Sequence, residues 1–117
     1  MLIIDDSRMI TERLTLLLTE LENVDSVLQA STYAEGEEIL EKAQVNAVML
    51  DINLPAGDGT DLLRLIRDKK YPVELIIVVT DKEGGRHREL CKSLGANHYM
   101  DKFDDIENIE KIIAGFR

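Results

Sequence analysis

Asp51 closes the apolar run Ala47-Val48-Met49-Leu50, and Asp5 and Asp6 close a second one, Leu2-Ile3-Ile4. If these two runs are neighbouring parallel strands, the three carboxylates converge at one edge of a sheet. There, like charges repel unless a cation or a proton is held between them. The grouping points to a hard-metal site in which one carboxylate oxygen can serve as a nucleophile. Mg²⁺ takes carboxylate and carbonyl oxygens together with waters and phosphate oxygens, so Asp6, Asp51 and the backbone carbonyl of Asn53 fit as ligands. Phosphoryl transfer also needs charge stabilisation on the transferred group. A hydroxyl and an amine at neighbouring strand ends suit that task, and Thr80 and Lys102 are placed to supply them.

The elements that must position these residues follow from periodicity. Leu2 to Asp5 reads as a short buried strand, and Ile10, Leu14, Leu17, Leu18 and Leu21 then recur at helical steps. Val24 to Ala30 has strand character. Thr32-Tyr33-Ala34-Glu35 has the capping-box form and starts a helix carrying Ile39, Leu40 and Ala43. Asn46 to Leu50 is a third strand, and Leu62, Leu63, Leu65 and Ile66 belong to the helix that Tyr71-Pro72 ends. Leu75 to Val79 is the strongest strand signal, a continuous apolar run suited to a central strand covered on both faces. A polar helix with Arg86, His87, Arg88, Glu89 and Lys92 stops at Gly95. Asn97 to Met100 is a last strand, and Asp104 or Asp105 caps a helix carrying Ile106, Ile109, Ile112, Ile113 and Phe116. Alternating strands and helices with short connections imply an α/β fold, a five-stranded parallel sheet with helices on both faces. Ligands of such sheets bind outside the carboxyl ends of the strands, where Asp5, Asp6, Asp51, Thr80 and Lys102 all fall.

Composition narrows the functional classes. A chain of 117 residues with 44% hydrophobic and 32% charged residues matches one globular domain, and no apolar stretch has the length to span a bilayer. The net charge of −9 disfavours direct contact with nucleic acid or an anionic membrane and favours a protein partner. No signal-peptide pattern opens the chain, and the single Cys91, flanked by Leu90 and Leu94, reads as a small core residue, so a cytoplasmic setting is expected. Blander roles stand beside the chemical ones. Asp6 and Asp58 could each cap a helix, Thr80 could bond a nearby carbonyl, and Tyr99 could be ordinary packing. His87 and the basic residues around it could be a solvated face, and His98 could be half buried.

Taken together, Asp5-Asp6, Asp51 with Leu54-Pro55 and Asp58-Gly59, Thr80, Gly95-Ala96, Tyr99 and Lys102 resemble the receiver domain of bacterial two-component response regulators, chemotaxis regulators included. The resemblance spans residues 1–117 as a single receiver domain and implies the flavodoxin-like strand order 2-1-3-4-5. It implies that Asp51 accepts a phosphoryl group from a histidine kinase, a phosphotransfer protein or a small phosphodonor, while Asp5 and Asp6 help hold Mg²⁺. It further implies a switch, in which Thr80 moves toward the phosphoryl group and Tyr99 turns inward. The face made by the fourth helix, fifth strand and fifth helix would then change its affinity for a downstream protein. Such a domain phosphorylates and dephosphorylates itself and has no conventional substrate.

Rival readings meet specific obstacles. An aspartyl phosphohydrolase wants a second Asp two residues after its nucleophile, where this chain has Asn53; a flavin site wants a phosphate loop, where it has Asp5-Asp6-Ser7-Arg8. A receiver working as a phosphorylation-independent interaction module is the remaining alternative, and two departures from the family pattern bear on it. Phe103 follows Lys102 where receivers usually carry proline in a cis bond. Because a cis bond to a non-proline residue costs about 3 to 4 kcal/mol, a trans Lys102–Phe103 bond is expected. Asp81 stands where small residues are common, and its carboxylate would repel phosphodonors. Asp81→Ala is therefore expected to speed phosphorylation by a small donor; equal rates in a stopped-time assay would count against that role.

Overall fold

The computed structural model describes residues 1–52, 54, 59–80, 85–101 and 106–116, without the side chains of residues 85–87, 101, 106 and 107. Five strands alternate with five helices: β1 (Leu2–Ile4), α1 (Arg8–Thr19), β2 (Leu28–Ala30), α2 (Tyr33–Lys42), β3 (Ala47–Asp51), α3 (Gly59–Asp68), β4 (Leu75–Thr80), α4 (Gly85–Ser93), β5 (His98–Asp101) and α5 (Ile106–Ala114). The strands form one parallel sheet in the order β2-β1-β3-β4-β5, the arrangement the sequence led us to expect.

Side-chain alternation along each strand divides the core in two. Leu2, Ile4, Val48, Leu50, Ile76 and Val78 face Leu40 of α2, Leu62, Leu63 and Ile66 of α3 and Cys91 of α4. Ile3, Met49, Ile77 and Val79 face Ile10, Leu14 and Leu18 of α1 and Ile109 and Ile113 of α5. Every residue of β3 and β4 is buried, which explains why their sequences are continuous apolar runs rather than alternating ones.

The helix boundaries have local causes. Ser7 caps α1, its hydroxyl accepting from the Ile10 amide at 3.4 Å. Thr32 caps α2 through the Glu35 amide at 3.1 Å, as the capping-box spacing required. Gly95 follows α4 with φ of 98°, a conformation that favours glycine and ends the helix. Asp58, Asp104 and Asp105, candidate caps of α3 and α5, lie outside the described residues. Asn23, after α1, donates to the carbonyls of Ile113 at 2.6 Å and Phe116 at 2.8 Å, tying the end of α5 to the α1 side.

β1, β3 and β4 depart from the expected runs by one residue at one end or both, and β2 and β5 depart for reasons visible in the structure. β2 covers only Leu28–Ala30 rather than the whole run from Val24, because it is an edge strand paired solely with the three residues of β1. β5 starts at His98 rather than Asn97. The Asn97 side-chain oxygen accepts from the Ile76 amide at 2.7 Å while its own amide donates to the Ile76 carbonyl at 2.9 Å, so a side chain stands in for the first rung of the ladder.

Because both faces of the sheet carry a core, Leu14→Ala in α1 and Ile66→Ala in α3 are each expected to cost about 2 to 5 kcal/mol in urea unfolding. A silent substitution at either position would show that face to be dispensable.

Candidate functional site

The sheet register brings the carboxylates together. β1 and β3 are adjacent, with Ile4 opposite Leu50, so Asp5 and Asp51 leave the sheet side by side at its carboxyl edge. Ligand oxygens of Asp5, Asp6 and Asp51 all lie within 4.8 Å of one another. Asp5 and Asp51 are only 2% and 1% exposed, whereas Asp6 is open to solvent. The convergence expected from the sequence is thus present for all three acids. The donor set is all oxygen, mostly dehydrated by protein and open on one side, which fits a hard divalent cation with room for further ligands.

Asp5 is fixed by contacts that the sequence did not announce. Its amide donates to the Ala30 carbonyl at 3.0 Å, and its carboxylate accepts from the Ser7 amide at 2.8 Å. The Thr11 hydroxyl, buried one turn into α1, donates to the Ser7 carbonyl at 2.9 Å and reaches the Asp5 carbonyl at 3.5 Å. Ser7 therefore caps the helix and braces Asp5 at once, and Asp6 is not the cap of α1. The readable signal was the Asp-x-Ser spacing ahead of a helix, in which an Asp side chain bonds an amide two residues on.

Asp51 is positioned from below by β3 and from the side by α3. It pairs with Val79 of β4, and the next amide, Ile52, donates to the Val79 carbonyl at 3.4 Å. Gly59 opens α3 directly against this segment, its amide donating to the Ile52 carbonyl at 3.1 Å. A Cβ on Gly59 would press on the Ile52 backbone and lie 2.7 Å from the Asp51 carbonyl oxygen. Only glycine permits the approach.

Thr80 ends β4, is 2% exposed, and stands one residue beyond the partner of Asp51. By strand alternation it shares a sheet face with Val78, and Val78 is paired with Tyr99 of β5. Tyr99 packs against the core cluster that contains Val78 and Cys91. Its hydroxyl is shut off from solvent and finds no hydrogen-bond partner among the described residues. Burial raises the phenol pKa above the ordinary value, the Cys91 thiol adds to that, and Arg88 acts in the opposite direction. The Arg88 guanidinium lies over the ring, 5.1 Å from its centre. Arg67 of α3 donates to the carbonyls of Leu94, at 3.0 Å, and Gly95, placing a cation on the C-terminal end of α4.

Lys102, Asn53, Asp81 and Phe103, with the Lys102–Phe103 bond, lie outside the described residues. Cys91 is fully buried, as its apolar neighbours suggested, and His98 is partly buried. A cleft of about 320 Å³ opens beside Asp5 and Asp6, lined also by Arg8, Thr11, Gln29 and Ser31. A larger one of about 440 Å³ lies at the opposite, amino edge of the sheet, around Met1, Asn23, Asn46 and Glu74. The smaller cleft is the one that meets Asp5 and Asp6.

This sheet order, with acids at the ends of β1 and β3, defines a class, and the family model for the response regulator receiver domain matches residues 1–114. The chain belongs to the response regulator receiver family, a family of signalling modules. The regulatory protein VanR of Enterococcus faecium is 33% identical over 99% of this chain and 49% of its own length. A receiver domain protein (CheY-like) from Methanospirillum hungatei superposes with a TM-score of 0.79 at 27% identity, covering 96% of this chain and 90% of that one. A Burkholderia pseudomallei response regulator, solved with a phosphorylated aspartic acid and a calcium ion, has the same fold, with a TM-score of 0.81 at 22% identity over 92% of this chain and 62% of that one. The chain spans about half or less of several curated relatives, 29% to 50% of their lengths. No described helix is long and apolar enough to cross a membrane.

Gly59→Ala is expected to lower stability by about 1 to 3 kcal/mol, the usual cost of forcing extra volume into a packed site. The amide resonances of Asp51 and Ile52 should shift with it. Unchanged resonances would mean that α3 yields without disturbing the acid.

Proposed function

We propose that this chain is a phosphorylation-dependent switch in a phosphorelay, with Asp51 as the phosphoacceptor. The observation that carries the reading is the packing of Asp5, Asp6 and Asp51 within 4.8 Å at the carboxyl edge of the sheet, inside a chain of the receiver family. A carboxylate oxygen of Asp51 attacks the phosphorus of a phosphohistidine or a small phosphodonor. The bond from phosphorus to the donor atom breaks, its electron pair leaves with the donor, and an acyl phosphate remains on Asp51. Asp5, Asp6, Asp51 and the Asn53 carbonyl would hold Mg²⁺, which when bound neutralises charge on the carboxylates and the phosphoryl oxygens. The burial of Asp5 and Asp51 keeps competing water from surrounding the nucleophile.

Thr80 and Lys102 are assigned to the phosphoryl oxygens, the hydroxyl as a hydrogen-bond donor and the amine as a countercharge. Thr80 and Tyr99 form the switch: a new hydrogen bond at Thr80 changes the space beside the Tyr99 ring on the same sheet face. The population shift is limited to the difference in phosphoryl interaction between the two states. A sensor histidine kinase or phosphotransfer protein supplies the phosphoryl group, and a downstream protein reads the face of α4, β5 and α5. With a net charge of −9, direct nucleic-acid binding by this domain is not part of the reading, nor is membrane binding. The setting proposed is cytoplasmic, the unit a single receiver domain over residues 1–117, and the output a change in binding rather than turnover of a conventional substrate.

Incubation with acetyl phosphate and Mg²⁺ should add one phosphoryl mass to the intact protein. The adduct should be lost in Asp51→Asn and in excess chelator. Absence of any adduct with small donors and phosphohistidine proteins alike would replace this reading with a phosphorylation-independent interaction module.

A further inference from the structure

Tyr99 is held in a position that its own chemistry does not favour. The hydroxyl is excluded from water without a described acceptor, although a phenol normally keeps one. Something other than hydrogen bonding must keep the ring there. Two residues of α4 meet it: Cys91, fully buried in the same core cluster, and Arg88, one turn earlier, whose guanidinium covers the ring. Arg88 is exposed and forms no ion pair with a described residue, so its planar cation is available to the aromatic face while its free edges stay hydrated. The C-terminal end of α4 is independently anchored by Arg67 on the Leu94 and Gly95 carbonyls. Loss of the Arg88 side chain would therefore act on the ring rather than on the seating of the helix.

We propose that Arg88 is a positioning residue for the switch: stacked on Tyr99, it holds the ring in the buried position and so sets how readily the Thr80 and Asp51 site reaches its reactive arrangement. The link to Asp51 rests on the function proposed above; the hold on the ring does not. The guanidinium is the distinguishing feature. An ammonium carries the same charge but is a compact, strongly hydrated point with no plane to stack, so lysine would hold the ring less well.

The test uses the full chain labelled with 3-fluorotyrosine, the Tyr99 signal being identified by its loss in Tyr99→Phe. In Arg88→Ala that signal should move toward the position of free fluorotyrosine and become accessible to a soluble paramagnetic probe, with Arg88→Lys intermediate. Phosphoryl uptake from acetyl phosphate should slow about threefold in Arg88→Ala, the order expected for a partly exposed stacking contact, and recover partly in Arg88→Lys. Amide spectra that keep their dispersion at α4 exclude simple unfolding. A Tyr99 signal with the parent's shift and the parent's protection in Arg88→Ala overturns the proposal. So does a ring that is released while phosphoryl uptake keeps the parent rate. If the parent itself takes up no phosphoryl group, the proposed function fails, and the fluorine spectra still decide whether Arg88 holds the ring.

Discussion

Three carboxyl groups gathered at one sheet edge, two of them out of water, are the constraint around which this molecule is organised. Carboxylate oxygens of the cluster lie within 4.8 Å of one another, and two unit negative charges at that spacing would repel by roughly 3 kcal/mol at an effective dielectric of about 20 unless a cation or proton lies between them. Asp5 and Asp51 are both almost wholly buried, so bulk solvent screens that repulsion poorly. The cost falls on the folded state and is borne by the two apolar layers beneath. Each acid sits on a strand whose preceding residues are fully buried, which leaves the strand end no freedom to swing its carboxylate away. Bracing from Ser7, Thr11 and Gly59 completes the restraint. A divalent cation bound at this edge would offset the repulsion among these acids, and would do the same for the negative charge that a phosphoryl group brings.

Tyr99 shows the same economy on a smaller scale. An unsatisfied buried hydroxyl costs about 1 to 3 kcal/mol. Burying the ring recovers a comparable amount, and a stacked cation at a partly exposed site adds about 0.5 to 1 kcal/mol. These terms nearly cancel. A side chain so balanced changes position under modest perturbation, whereas Ile77 or Leu63, with only apolar contacts to lose, would not. The difference between Tyr99 and its purely apolar neighbours therefore lies in one polar atom that has no partner among the described residues.

The sheet order and the acidic cluster were legible because they depend on signals with few alternatives. Leu75 to Val79 is too apolar for an edge strand, and acids that terminate two such runs have one place to go in a parallel sheet. What was not legible depends on contacts made across the chain. The length of β2 is set by what β1 offers as a partner. The entry to β5 is set by an asparagine side chain that reaches Ile76 from the neighbouring strand. Asp6 looked able to cap α1, and only the fold showed that Ser7 does so while leaving Asp6 at the open side of the cluster. The stacking of Arg88 on Tyr99 joins residues eleven positions apart through α4 and β5, a juxtaposition that no local pattern encodes.

The arrangement of burial around the acids also bears on which ion and which chemistry suit them. Two ligands are dehydrated and rigid, while the third, Asp6, is solvated at the mouth. A cation that insists on shedding its waters for a closed protein cage would find too few donors among the described residues. A hard divalent cation that keeps several waters and accepts one or two carboxylates matches the number and exposure of the described oxygens. Soft thiolate or imidazole ligands are missing from this described cluster, so a zinc-like preference has nothing to act on. The open side that leaves room for water also leaves room for phosphoryl oxygens. Cation binding and the phosphoryl transfer proposed for this chain would thus share one edge of the sheet.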